Sequence, residues 1–249
     1  MGAELEFAGK VALVTGGSRG IGAATVRALA AKGAAVAFSY AASAGAAEAL
    51  VAELRGKGAE VTAYRADSAD PAAVAELVRA VHAAFGRLDI LVNNAGVFLG
   101  GPVDQMDEAE SLRQWTINVV AVQAAVKAAV PLLPEGGAIV TTGSVLGRRV
   151  PLAGVSAYAA SKAAVANLSR GWARDLAPRG IRVNVVQPGP IDTDMNPADG
   201  DLASVVRPLT AMQRYGKPEE VAAAILFLAS PAASYITGVA LDVDGGMEA

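Results

Sequence analysis

Short apolar runs alternate with helical periodicity along nearly the whole chain. Lys10 to Thr15 is apolar and β-rich; a glycine-rich turn follows, and Ile21 to Lys32 then places Ile21, Thr25, Ala28 and Leu29 at helical spacing. The same alternation predicts strands over Ala34 to Ser39, Glu60 to Arg65, Asp89 to Val92, Ala138 to Thr142 and Ile181 to Val186, and a closing strand over Val239 to Val243. Between them it predicts helices over Ala44 to Arg55, Asp70-Pro71 to Phe85, about Ala109 to Leu133, and Ser156 to Leu176. The strands are continuous apolar runs rather than alternating ones, which implies a parallel sheet covered on both faces. With right-handed crossovers the fold is α/β, a single doubly wound parallel sheet of the Rossmann type with about seven strands.

Pro190 to Arg214 and the closing strand Val239 to Val243 depart from this rhythm. Pro190 to Arg214 is rich in Pro, Asp and Thr with weak periodicity, and reads as a mobile substrate lid. Val221 to Ala240 carries no charge over a membrane-spanning length, but Ser230, Pro231, Ser234 and Gly238 interrupt it, which favours a core helix followed by a buried strand. With no repeat and no linker, the expectation is one domain over 1–249. Val119 to Leu133, with only Gln123 and Lys127 among apolar residues, and the alanine-rich stretch Ser156 to Ala166 are apolar nearly all round. Such helices need cover on a second side, so a subunit interface is expected.

Composition narrows the chemistry. The 249 residues include no cysteine and one histidine, His82, which removes disulfides, thiolate nucleophiles and Cys- or His-rich metal sites, so no metal is expected. A net charge of −3 offers no basic field for nucleic acid. The acidic start, Met1 to Glu6, has neither the basic nor the apolar region of a secretory signal, and the protein is expected to be cytoplasmic, off the membrane, with a small molecule as its partner.

Three groups of residues carry candidate chemistry. Thr15-Gly-Gly-Ser-Arg-Gly-Ile-Gly22 stands between the first strand and helix, where missing side chains and helix N-terminal amides suit a pyrophosphate. After the second strand, where an acid would bind a ribose diol, the chain reads Ser39-Tyr40-Ala-Ala-Ser43; without that acid, Arg19 and Ser43 would accept a 2′-phosphate, so NADP(H) is preferred and NAD(H) is the alternative. Tyr158-Ala-Ala-Ser-Lys162 puts a phenol and an ammonium on one helix face. At about 5 Å and an effective dielectric of about 20, that charge favours phenolate by about 3 kcal/mol, while desolvation opposes it. If the charge wins, the phenol becomes an acid/base group near neutrality. Ser144 follows a late strand at the ligand-binding edge of the sheet, placed to hold a substrate oxygen. Gly143-Ser144 lacks the Gly-x-Ser-x-Gly context and His82 lies on an early helix, so a Ser-His-Asp hydrolase fits poorly and His82 is read as a bystander.

In this order the motifs resemble the short-chain dehydrogenase/reductase family, from about Lys10 to Met247: the glycine turn, Asn93-Asn-Ala-Gly96, Asn118, Ser144, and Tyr158 with Lys162. The resemblance implies hydride transfer between nicotinamide and a carbonyl carbon, with Tyr158 as proton donor or acceptor and Ser144 polarising the oxygen. Lys162 would tune the tyrosine and bind the ribose, and Asn118 would hold a water linking Lys162 to solvent. It places the cofactor against Gly16, Ser18, Arg19, Gly20, Ile21 and Gly22; Tyr40 and Ser43; Asp67 and Ser68; Asn94, Ala95 and Gly96; Tyr158 and Lys162; and Pro188, Gly189, Ile191 and Thr193. It also implies a homotetramer, or a dimer.

The reading reached from the sequence is an NADPH-preferring carbonyl reductase, reversible as a secondary alcohol dehydrogenase. Arg214-Tyr-Gly-Lys-Pro-Glu-Glu-Val221 and Val243-Asp-Gly-Gly246 are similar to 3-oxoacyl-carrier-protein reductases, but Val119 to Gly137 offers an acidic carrier only Lys127, against Glu135. The alternatives are that carrier-linked activity and a non-catalytic dinucleotide-binding or regulatory protein on the same fold.

Overall fold

In the computed structural model, which describes residues 5–249, strands and helices follow one another as the periodicity predicts. The first four residues of the acidic start lie outside the described residues. Strand β1 (Val11–Val14) leads through the glycine turn to helix α1 (Gly20–Ala31), then β2 (Ala35–Tyr40), α2 (Ala44–Arg55), β3 (Val61–Arg65), α3 (Pro71–Phe85) and β4 (Ile90–Asn93). The second half runs through α4 (Glu108–Trp115), a π turn (Thr116–Val120), α5 (Ala121–Ala129), β5 (Ala138–Thr142), α6 (Ser156–Leu176), β6 (Arg182–Pro188), α7 (Ala203–Val206), α8 (Pro218–Ala229) and β7 (Ala240–Val243).

Among the described residues the strands form one seven-stranded sheet, ordered β3-β2-β1-β4-β5-β6-β7. Every neighbouring pair is parallel. Alternate residues of β1 feed two separate cores. Ala12 and Val14 join Val26, Leu29, Val221 and Ile225 beneath α1 and α8, while Val11 and Leu13 join Leu77, Val81, Val126 and Leu176 beneath α3, α5 and α6. The order reverses between β1 and β4, which opens a crevice at the carboxyl ends of the strands.

Local chemistry sets several boundaries. Asp70 caps α3 by accepting from the Ala72 and Ala73 amides at 2.9 and 3.2 Å, with Pro71 at the first helical position. The helix ends at Gly86, whose φ of +74° only glycine adopts freely.

The structure departs from the sequence-based expectation in two places. The long helix expected over 109–133 is broken by the π turn and ends at Ala129. Thr116 donates its hydroxyl to the Leu112 carbonyl, and the Ala121 amide bonds five residues back to Thr116, which accommodates one extra residue in the turn. The closing strand β7 is half-buried rather than buried, because it is the outermost strand beyond β6.

Of the flagged helices, α5 packs one side inward through Ala121, Val122, Ala125 and Val126, and α6 through Ala159, Val165 and Ala166. Leu112, Trp115 and Val120 stay exposed beside them. The segment 190–214 contains α7; Arg207 and Asp192 each bond Ala198 within it, and the Met212 amide donates to the Gly245 carbonyl outside it. Among the described residues, no helix is long and apolar enough to cross a membrane.

Candidate active site

The site is assembled at the crevice by backbone and threonine chemistry. The Thr15 hydroxyl accepts from the amides of Asn94 and Ala95, and the Asn94 side chain donates back to the carbonyls of Thr15 and Gly16 at 3.1 and 3.0 Å. The Thr142 hydroxyl donates to Asn94 Oδ1, so the ends of β1, β4 and β5 are laced together. Ser39, buried on β2, accepts from the Gly16 amide at 3.1 Å.

This lacing leaves no room for a side chain at Gly16 or Gly22 of the glycine turn. A Cβ on Gly16 would stand 2.9 Å from the Ala95 Cα, and one on Gly22 would stand 2.2 Å from the Gly16 carbonyl oxygen. Gly16 also has a φ of +64°. The turn therefore runs directly into α1 with bare backbone facing the crevice, a cradle that fits a dinucleotide pyrophosphate.

A cleft of about 490 Å³ runs along the edge of the sheet. Gly16, Ser18, Arg19, Gly20, Ile21, Gly22, Tyr40, Ser43, Asp67 and Ser68 line one part of it. Asn94, Ala95, Gly96, Ser144, Tyr158, Lys162, Pro188, Gly189, Ile191 and Thr193 line the rest. Every residue expected at the site is thus brought together, with Asn118 as the exception.

Asn118 sits in the π turn, 1% exposed and behind the cleft wall. Its Oδ1 accepts from the Val97 amide, and its Nδ2 donates to the Val97 carbonyl and to Ser161 Oγ, each at 3.0 Å. The side chain holds the loop after β4 against α6, with both amide protons donated and Oδ1 accepting one hydrogen bond. A Cβ on Gly96 would lie 3.3 Å from Asn118 Oδ1 and 3.5 Å from Lys162 Nζ, so the Gly96 backbone runs close between the two side chains.

Tyr158 and Lys162 share a face of α6, with Lys162 Nζ 5.6 Å from the centre of the phenol ring. Lys162 is buried and donates to the Thr142 carbonyl at 2.9 Å. Phe98 packs edge-on against Tyr158 with ring centres 5.0 Å apart. The Ser144 oxygen accepts from the Leu146 amide, which leaves its own proton free to donate.

Of the two opposing influences, burial is the one that shifts both groups. Burial pushes the Tyr158 phenol up to about 12 despite the partly open ring, and the Ser144 hydroxyl beside it pulls back only in part. Burial also pushes the Lys162 ammonium down to about 8. Desolvation is the largest influence on each group and acts in opposite directions on the two.

Comparison with known proteins places this geometry. A family model described as Enoyl-(Acyl carrier protein) reductase matches residues 16–248. The crystal structure of a short chain dehydrogenase from Burkholderia cenocepacia J2315 in complex with NADP is 52% identical, covers 98% of this chain and 100% of its own, and superposes with a TM-score of 0.97. The chain belongs to the short-chain dehydrogenase/reductase family. Within that family it is 48% identical over 243 residues to the cyclic-di-GMP-binding biofilm dispersal mediator protein of Escherichia coli (strain K12), across 98% of this chain and 99% of the relative. It is 42% identical over 241 residues to a 3-oxoacyl-[acyl-carrier-protein] reductase of Synechocystis sp., across 96% of each chain. The expected cofactor, NADP(H), agrees with the NADP bound in the Burkholderia dehydrogenase.

Several parts of this family site were not read from the sequence. Thr142 holds Lys162 through its backbone, which leaves no side-chain signature. Ser161 lies inside the Tyr-Ala-Ala-Ser-Lys motif, one residue before the lysine, and that adjacency was an available signal. Phe98 had none. His82 lies on α3 and is absent from the cleft lining.

The lysine shift has a measurable consequence. Its folded value is depressed, so below pH 8 both folded and unfolded chains carry the proton and burial of the charge is fully destabilising. Between pH 8 and 10.5 the folded chain releases that proton first, and stability rises with pH. From pH 7 to pH 10, the unfolding free energy of the wild type should gain about 2 kcal/mol on that of Lys162→Met. Parallel pH profiles for the two proteins in denaturant titrations would contradict the buried charge.

Proposed function

We propose that the protein is an NADPH-preferring reductase that converts a ketone to a secondary alcohol, and the reverse. The observation that carries this reading is the convergence of Ser144, Tyr158 and buried Lys162 on the cleft that also contains the bare glycine turn. A reduced nicotinamide dinucleotide bound along that cleft supplies the hydride that the carbonyl carbon accepts. Its pyrophosphate would lie on the turn at Gly16 to Gly22, its adenosine near Asp67 and Ser68, and its ribose within reach of Lys162.

The remaining work falls to this chain. Ser144 donates its free proton as a hydrogen bond to the carbonyl oxygen and fixes its position. Tyr158, neutral in this environment, gives its proton to that oxygen as negative charge develops there. Lys162 favours the phenolate left behind, and it can do so because its ammonium is held by the Thr142 carbonyl at a fixed place. Asn118 serves as a positioning residue that keeps the Gly96 loop against α6.

Preference for the 2′-phosphate is assigned to Arg19 and Ser43, because no acid follows β2. Arg19 is joined to Asp194 at 3.1 Å in an exposed ion pair, a contact weak enough to exchange for a phosphate. We also assign a single domain with a lid over 190–214, a cytoplasmic setting, and self-association to a tetramer or dimer through the face carrying Leu112, Trp115 and Val120. Light scattering that returns a single 25.0 kDa chain would overturn that assembly.

A second reading is a non-catalytic nucleotide-binding regulator, whose binding part is favoured by the kinship with the Escherichia coli cyclic-di-GMP-binding biofilm dispersal mediator protein. A third is reduction of acyl groups on a carrier protein, favoured by the Synechocystis relative. One assay separates them, in which NADPH and NADH oxidation is followed with a panel of activated ketones and an acyl thioester. The wild type should turn over free ketones, and Tyr158→Phe should lose at least about 100-fold in kcat with cofactor binding retained. Arg19→Ala should raise the KM for NADPH about tenfold and leave that for NADH unchanged. Tight NADPH binding without turnover of any compound would favour the regulator, and turnover of the thioester alone would favour the carrier-linked reaction.

A further inference from the structure

A short turn of the segment 190–214 reaches across the cleft to the start of α1. Thr193 and Asn196 exchange backbone hydrogen bonds, the Asn196 amide donating to the Thr193 carbonyl at 3.0 Å, and close a turn with Asp194 and Met195 at its tip. The base of the turn is fixed where the Asp192 amide donates to the Gly216 carbonyl and the Gly216 amide to the Pro190 carbonyl, each at 2.9 Å. Its tip rests on the glycine turn. A Cβ on Gly20 would stand 3.3 Å from the Thr193 methyl carbon, and Asp194 Oδ2 accepts from Arg19 Nη1 at 3.1 Å, across 175 positions of sequence.

Among the described residues, the formal charges lining the cleft belong to Arg19, Arg113, Lys162, Asp67 and Asp194. Lys162 donates to the Thr142 carbonyl, Asp67 accepts from the Ala69 amide in its own turn, and Arg113 enters no ion pair. Arg19 and Asp194 are the opposite charges joined across the cleft. Three cations facing two acids give the cleft a positive balance that favours an anionic ligand, and Asp194 opposes it at the place where Arg19 would meet a phosphate. With side chains 60% and 71% exposed, the pair is held by a small margin and its partners exchange readily.

We propose that Asp194 is a cofactor-selecting residue: it holds the guanidinium that the 2′-phosphate needs, and so reduces the preference for NADPH that Arg19 confers. The inference rests on the assignment of Arg19 to that phosphate and adds a built-in competitor for it. Binding of NADPH exchanges one anionic partner of Arg19 for another and brings the phosphate close to a carboxylate. NADH, with a ribose hydroxyl in that place, leaves the ion pair intact. The carboxylate therefore weighs against one cofactor and not the other.

The test is a fluorescence titration of the full-length protein with NADPH and with NADH at low ionic strength, a readout that needs no turnover. Asp194→Asn should tighten NADPH binding about threefold and leave NADH binding unchanged, and the gain should fade at about 0.5 M salt. Asp194→Glu, which keeps the charge, should bind both cofactors as the wild type does. In an Arg19→Ala background, Asp194→Asn should lose most of its effect, because the group it competes for is gone. An equal shift for both cofactors would mark a structural role in the turn, and an unchanged NADPH constant would show that nothing is exchanged; either result overturns the proposal while Arg19 keeps its assignment. Should Arg19→Ala bind NADPH as tightly as the wild type, the phosphate assignment falls and the proposal falls with it.

Discussion

A lysine ammonium withdrawn from water fixes the organisation of this site. Lys162 lies buried in α6, with the Thr142 carbonyl as its hydrogen-bond acceptor among the described residues. Keeping a charge there costs about 3 kcal/mol at neutral pH, given a drop from 10.5 to about 8. The fold sustains that cost because two cores clamp the sheet from either side, and the lacing of Thr15, Asn94 and Thr142 fixes the strand ends around it. The Gly96 backbone passes close between Lys162 and Asn118. The phenol one helical turn away is therefore placed by the same helix that holds the charge.

Desolvation governs both members of the pair, in opposite directions. It keeps Tyr158 protonated and draws Lys162 toward neutrality, so the protein without ligand stores a phenolic proton beside an amine that is easily discharged. A neutral donor suits the reductive direction, where a proton must reach an oxygen acquiring negative charge. In the proposed reaction Ser144 would act on the same oxygen, its own oxygen accepting from the Leu146 amide.

The sheet was legible because its strands are unbroken apolar runs, and the first cleft wall because glycines at 16, 20 and 22 have one good explanation. Tyr158 and Lys162 were legible through helical spacing. Their relative acidity was not, since the sequence states the charge separation and conceals the burial. The π turn escaped the periodicity because one inserted residue hardly changes an apolar pattern, although Asn118 marked the place. Its side chain holds backbone at Val97, a role invisible without coordinates. The edge position of β7 also depends on strand order, which no local pattern encodes.

The direct test of this account is the ionisation of Tyr158 itself. In protein labelled with ¹³C at tyrosine Cζ, with Tyr158→Phe to assign the signal, the cofactor-free enzyme should show Tyr158 as the neutral phenol up to at least pH 10. A Tyr158 resonance that titrates below pH 9 would show that the lysine charge outweighs burial, and would contradict the account.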